Sequence, residues 1–237
     1  MLLLLAHLAL ADESTLVYDL YLGGKDIGDR TVTVRFLARE TGERRVLEVV
    51  SRAETPLGPV SCRQSGQSGP RGATFTTNLQ VGTTLSEVQG IELPTGGWQL
   101  VRADAEGVHE STLLPGQAHF STLDLYDPGR TRRLLDAGAV GLLLAETGAI
   151  LSGDLGAGSP TTVKIAGKPV SGTRYALSTS EGNAEFVVNA DGVLLSSEVS
   201  SFGGTLRTVA RSVPVPRTVG TIDVIETPGA GVTEEAI

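Results

Sequence analysis

Leu16-Val-Tyr18-Asp-Leu20-Tyr-Leu22-Gly-Gly24-Lys-Asp26-Ile27-Gly28-Asp-Arg30-Thr-Val32-Thr-Val34-Arg-Phe36 decides the fold class. Leu16, Tyr18, Leu20 and Leu22 fall on one face with a period of two. After Gly23-Gly24-Lys25-Asp26 the alternation resumes, with Val32, Val34 and Phe36 set against Thr31, Thr33 and Arg35. A period of two places alternate side chains on opposite faces of an extended chain, and a Gly-rich break between two such runs turns one strand back on the other. The stretch therefore reads as a β-hairpin.

The same pattern continues outward. A turn at Glu40-Thr41-Gly42-Glu43 leads into Arg45–Glu54, and Pro56-Leu57-Gly58-Pro59 closes that strand before Val60–Gln67. Ala73–Gln80, Thr84–Leu93, Trp98–Ala103 and Val108–Leu114 follow, separated by Gly, Pro or Asp. About nine strands are expected before residue 115, enough for a large curved sheet or open barrel. Gly66, Gly69 and Gly72 do not stand between a strand and a helix as a phosphate loop requires, and read as a mobile hairpin loop.

One segment breaks the alternation. In Asp127-Pro-Gly-Arg-Thr-Arg-Arg-Leu-Leu-Asp-Ala-Gly138, Asp127 suits an N-cap, Pro128 the first helical position and Gly138 the end of a short helix. Beyond it, Ala139–Ala145 reads as a buried strand that turns at Glu146-Thr-Gly148 into Ala149–Leu155. Thr161–Ile165, Gly172–Ser178, Ala184–Val188, Val193–Ser200 and Thr205–Arg211 then form further hairpin-like units. The expected fold is mainly β, a large curved antiparallel sheet or an open β-barrel or sandwich with one short helix. Residues 12–211 form one β domain in this reading, and residues 212–237 an extended tail.

Composition narrows the function. The chain has 40% hydrophobic and 19% charged residues over 237 positions, enough apolar material for a core. A net charge of −8 argues against nucleic acid and anionic membrane surfaces, which bind clustered Lys and Arg. Met1–Ala11 is a short apolar run ending in Ala9-x-Ala11 ahead of Asp12-Glu13, the pattern of a secretory signal peptide without its usual positive start. Export to a periplasmic or extracellular space is therefore expected. No run approaches the roughly 20 apolar residues that a transmembrane helix needs. A lone Cys62 makes no internal disulfide.

No catalytic motif stands out. His109 and His119 are the histidines after the leader, and no Gly-x-Ser-x-Gly elbow accompanies them. His109, Glu110 and His119 fit no familiar zinc spacing and read as surface residues. Asp124 and Asp127 could pair for glycoside hydrolysis, but capping the helix is a sufficient role for Asp127. Cys62 reads as a plain strand thiol. Arg130, Arg132 and Arg133 form the one basic cluster, suited to an anionic headgroup or carboxylate, or else to a solvated helix face. No cofactor and no metal are expected.

Tyr18-Asp-Leu-Tyr-Leu-Gly-Gly-Lys-Asp-Ile27-Gly28, Leu123-Asp-Leu-Tyr-Asp127-Pro128, Arg174-Tyr175 and Phe186-Val-Val-Asn-Ala-Asp191-Gly192-Val-Leu-Leu195 together resemble a group of exported bacterial proteins of unknown function. In that group a tyrosine with a G-x-x-I-G hairpin opens a β-rich domain and a D-x-D-G-x-L hairpin ends it. Asn189 stands here in the first acidic position of the second motif. The resemblance spans roughly residues 15–210 and rests on structural turns. It implies a fold similar to the open barrels of periplasmic lipoprotein carriers, whose curved sheet wraps a helix and can enclose an apolar cavity. No functional residues carry over.

Two function classes follow. The first is an exported, non-catalytic carrier or binding protein for a lipid-like or other apolar ligand. In it Tyr126, Arg132, Arg133, Leu134, Leu135, Leu142, Leu143 and Leu144 contact the ligand, although the leucines could equally fill the core. The second is a structural or envelope-assembly protein that binds another protein through a sheet edge or the tail from Val213 to Ile225. A carboxylate-dependent hydrolase is the third reading.

Overall fold

In the computed structural model, residues 12–37, 44–69, 72–135, 138–180, 182–201 and 204–212 are described. The opening hairpin is present: β1 (Asp12–Leu22) and β2 (Lys25–Leu37) pair antiparallel across Gly23 and Gly24, both at positive φ, where glycine avoids the Cβ clash. The meander continues through β3 (Arg44–Thr55), β4 (Gly58–Gly69), β5 (Gly72–Val81), β6 (Thr84–Glu92), β7 (Trp98–Asp104) and β8 (Gly107–Leu113), each antiparallel to the one before. Among the described residues eight strands precede residue 115, where about nine were expected from turn spacing. Gly66 belongs to β4, opposite Phe75, and is not part of a loop; Gly69 and Gly72 close the hairpin as paired residues.

The chain then leaves the first meander. The short β9 (Phe120–Ser121), a 3-10 helix (Thr122–Tyr126) and α1 (Pro128–Leu135) lead to β10 (Ala139–Leu143) and β11 (Ile150–Leu155). The helix is described from Pro128 to Leu135, residues 136 and 137 lie outside the described ones, and Gly138 beyond them has φ +71°. Strands β12 (Ser159–Ile165), β13 (Lys168–Thr179), β14 (Asn183–Val188), β15 (Leu194–Ser201) and β16 (Gly204–Ala210) return as a second meander, whose last member pairs with β1. One open sheet results, in the order β8 to β1, then β16, β15, β14, β13, β11, β10 and β9, with β12 alongside β13. The first and last long strands thus meet in its middle.

Alternation fixes which face is inside. In β4, Cys62, Gln64 and Gly66 are buried while Ser61, Arg63, Ser65 and Gln67 are exposed. The inner faces of both meanders and the 3-10 helix share one core that contains Tyr18, Val49, Phe75, Trp98, Leu123, Leu143, Phe186 and Leu195. The 3-10 helix and the β10–β11 turn lie against the inner face of the first meander. Leu123 sits over Gly66, where a Cβ would come 3.4 Å from its Cδ1, and Gly148 approaches Val88.

Candidate functional site

Strand periodicity would put apolar side chains at every inward position, so polar residues in that phase mark where the fold does something other than bury oil. Arg30 shares the inward phase of β2 with Val32 and Val34, and Arg45 and Ser51 share that of β3 with Leu47 and Val49. Glu92 follows Val88 and Gly90 in β6. All four polar residues were legible in the alternation and were overlooked as candidates. The structure gathers them around the segment from Ser121 to Glu146.

Arg30 forms the first cluster. Its Nη1 donates to the Tyr126 hydroxyl at 2.6 Å and its Nε to Ser51 Oγ at 2.8 Å, while Nη2 lies 3.7 Å from Glu146 Oε1. The Thr122 hydroxyl donates to Glu146 Oε2 at 2.9 Å, which ties the 3-10 helix to the β10–β11 turn. The guanidinium also stands over the Tyr126 ring, 5.9 Å from its centre, and Tyr18 meets that ring edge-on at 5.6 Å. Burial opposes the Arg30 charge, but the Tyr126 hydroxyl and Glu146 carboxylate outweigh it and raise its pKa. Burial raises Tyr126 in turn, against the pull of Arg30. Nearby, burial pushes the Cys62 thiol up to about 12, and the Glu146 charge adds to the shift. A thiol held neutral in this way is not a nucleophile.

Asp124 and Asp127 form the second cluster. Asp127 caps α1: its Oδ1 accepts from the Gly129 and Arg130 N–H groups, and its carbonyl accepts from Thr131 N–H. It also binds Arg45, while Oδ2 accepts from the Ser68 hydroxyl at 2.9 Å. Asp124 Oδ2 accepts from Ser121 N–H and hydroxyl at 2.7 and 3.1 Å, and its Oδ1 lies 2.6 Å from Arg130 Nε. Burial raises the Asp124 pKa against the pull of Arg130 and Ser121. Arg130 also bonds Glu92 at 3.1 Å, so this member of the basic cluster is an internal ion pair and not a solvated helix face. Each carboxylate already holds several partners, an arrangement that fastens a helix and leaves neither free for acid–base work on a glycoside.

The other expected site residues are spread over different surroundings. Tyr126, Leu142 and Leu143 are buried in the core, and Leu135 and Leu144 pack partly buried against it. Arg132, Arg133 and Leu134 lie on α1, but their side chains are outside the described ones. The cleft between the second cluster and the sheet, bordered by Phe75, Trp98, Leu123 and Asp127, holds about 20 Å³, room for one water. A larger groove of about 270 Å³ lies at Ser65, Gln67, Thr74, Gln89 and Ile91, mostly residues of the outer face.

His109 and His119 are exposed, the latter accepting from Gly141 N–H at its Nδ1. His109 does come near two acidic residues, Asp104 and Glu106, whose ligand atoms lie within 4.8 Å of it and of one another. There Asp104 accepts from Glu106 N–H and pairs with Arg102, so its oxygens already serve the β7–β8 turn.

One further feature bears on binding. Among the described residues β8 pairs only with β7, and its residues are exposed apart from the half-exposed Leu113. The ladder runs without a bulge from Trp98 opposite Leu113 to Asp104 opposite Gly107. Val108 is 68% exposed and Leu114, just past the strand, 63%. No helix among the described residues is long and apolar enough to cross a membrane.

No family model matches the chain, and no curated protein matches it either. Among solved structures it is similar to the crystal structure of a beta-barrel-like protein of the domain of unknown function DUF1849 from Brucella abortus. The identity is 12% and the TM-score 0.49, over 84% of this chain and 95% of that one.

Proposed function

We propose that this chain is an exported, non-catalytic binding protein that docks an extended segment of another polypeptide along the free edge of β8. The observation that carries the reading is the edge itself. Among the described residues, a regular seven-residue strand presents unpaired backbone donors and acceptors, with exposed apolar side chains near both ends. Sheet edges that must stay unoccupied usually carry Pro, Lys, a bulge or a covering element. Gly107–Leu113 contains neither Pro nor Lys, whereas β12, which among the described residues pairs only with β13, contains both Pro160 and Lys164. Strand addition draws affinity from main-chain hydrogen bonds and selectivity from alternate side chains, here Val108, Glu110 and Thr112 on one face.

A lipid carrier shares the open antiparallel sheet but needs an apolar cavity of a few hundred Å³. The cleft beside the helix holds about 20 Å³, and two polar clusters fasten the segment that a carrier would move. The partner reading uses the surface as it stands.

The test is a displayed library of alternating nine-residue strands selected on the full chain. Selected peptides should shift amide signals of β8 and lose at least tenfold in affinity against Val108→Lys/Thr112→Lys, with the melting temperature unchanged. Peptides whose shifts map elsewhere, or whose affinity survives those lysines, would refute edge docking. A lipid extract that displaces them would favour the carrier.

A further inference from the structure

The backbone phase of β8 decides which of its residues an added strand would meet. Asp104 and Gly107 pair across a turn of Ala105 and Glu106 alone. A two-residue hairpin loop is closed by a pair that exchanges hydrogen bonds, and such pairs then alternate along an antiparallel ladder. Gly107, His109, Ser111 and Leu113 therefore turn their N–H and C=O groups toward β7, whereas Val108, Glu110 and Thr112 turn theirs to the free flank. The same three side chains stand together on one face and are exposed.

Glu110 is the middle residue of the strand and the one charge among those three. Among the described residues its carboxylate has no ion pair or hydrogen bond. Its own sheet supplies no cation on that face. Val101 lies opposite, Gln99 and Ala103 stand two positions to either side of Val101, and Gln89 follows on β6, where Glu87 opposite Ala103 adds a further carboxylate. Arg102 is opposite His109 on the other face and is paired with Asp104. Directly opposite residues of an antiparallel pair have Cβ atoms about 4.5–5.5 Å apart, where opposite charges attract and like charges destabilise. The place for a cation is thus the position that an added strand sets against Glu110.

We propose that the strand added at β8 is a basic segment of another protein, with Lys or Arg opposite Glu110 and uncharged residues opposite Val108 and Thr112. The proposal rests on edge docking at β8 and names the partner's chemistry. The same residue argues against a second copy of this chain as the occupant. Two antiparallel β8 strands overlap along their whole length only when Glu110 faces Glu110, and each copy brings a net charge of −8.

Three nine-residue strand peptides, identical except for Lys, Gln or Glu at the centre and with Val two positions to either side, test it on the full chain. Amide shifts of β8 report binding, and sedimentation reports the oligomeric state. The lysine peptide should bind tightest and the glutamate peptide weakest, at least about threefold apart, with the gap narrowing in high salt. Glu110→Lys should invert that order and Glu110→Gln should level it, both at an unchanged melting temperature because the side chain is exposed. Equal affinity of the three peptides at β8, or an order that survives Glu110→Lys, would overturn the basic partner and leave edge docking standing. Shifts that never reach β8 would overturn both. A dimer joined through β8 that the lysine peptide fails to dissociate would make the second copy the occupant and overturn the proposal.

Discussion

Arg30 Nη1 donates a hydrogen bond of 2.6 Å to the hydroxyl of Tyr126, ninety-six residues further along the chain. The bond joins the second strand to the segment lying against the inner face of the sheet, and the Arg30 side chain is only 11% exposed. A guanidinium so placed needs its acceptors, because a buried charge without partners is costly.

Tyr126→Phe removes one acceptor and leaves the ring in place. Hydrogen bonds to charged groups contribute about 1.5–3 kcal/mol, so a loss in that range is expected in urea denaturation followed through the single buried Trp98. Tyr126→Phe combined with Arg30→Met should recover part of the loss, since the stranded charge is then gone. A Tyr126→Phe protein as stable as the parent would show that the bond contributes nothing.

At Asp127 two roles can be separated. Asp127→Ala removes the helix cap as well as the partner of Arg45 and Ser68, and should cost at least the roughly 1–2 kcal/mol typical of a lost cap. Asp127→Asn keeps a good capping group and loses the charge. The difference between the two melting temperatures assigns the cap, and equal temperatures would mean that the Arg45 contact carries the whole effect.

Gly90 and Gly66 flank Phe75 on neighbouring strands but differ in what surrounds them. A Cβ on Gly90 would lie 2.2 Å from Phe75 Cε1, so Gly90→Ala must displace the ring and should lower stability by about 1–3 kcal/mol. A Cβ on Gly66 would meet Leu123 Cδ1 at 3.4 Å, so Gly66→Ala should be the milder change in the same assay. The reverse order would show that Leu123 is packed more rigidly than Phe75.

The Cys62 thiol supplies a pH signature. Its folded pKa, near 12, is above its unfolded value of 9.0, so the folded state holds the proton more tightly. This contribution to stability is complete below about pH 9 and is lost as pH rises from there toward 12. Cys62→Ala should flatten the alkaline fall in stability. A thiol reagent at pH 8 should label the native chain slowly and the denatured chain at once, and rapid native labelling would contradict the burial.

The proposed export predicts a mature chain that begins at Asp12, the first described residue of β1. Intact mass of protein secreted by a bacterial host should show the loss of Met1–Ala11, and retention of those residues would remove the support for a cleaved leader.

Much of the molecule was legible as local physics. Alternation in Tyr18–Phe36 gave the opening hairpin, and Asp127-Pro128 gave the start of α1, because strand phase and helix capping are settled by residues a few positions apart. Leu142 and Leu143 were readable as buried but not as filling or lining, since that depends on what comes from elsewhere in the chain. Arg30, Arg45 and Glu92 were visible as polar residues in an apolar phase. Their partners Tyr126, Asp127 and Arg130 could not be paired with them by any local rule.

The sequence by itself determined an antiparallel β chain with one helical interruption, because periods of two and 3.6 and turn chemistry are short-range properties of the backbone. Only the tertiary structure decided that β1 closes against β16, that the 3-10 helix is held against the inner face through Arg30 and Asp127, and that among the described residues β8 is left as a regular edge. Those outcomes depend on contacts between residues far apart in the chain, which alternation along one strand does not encode.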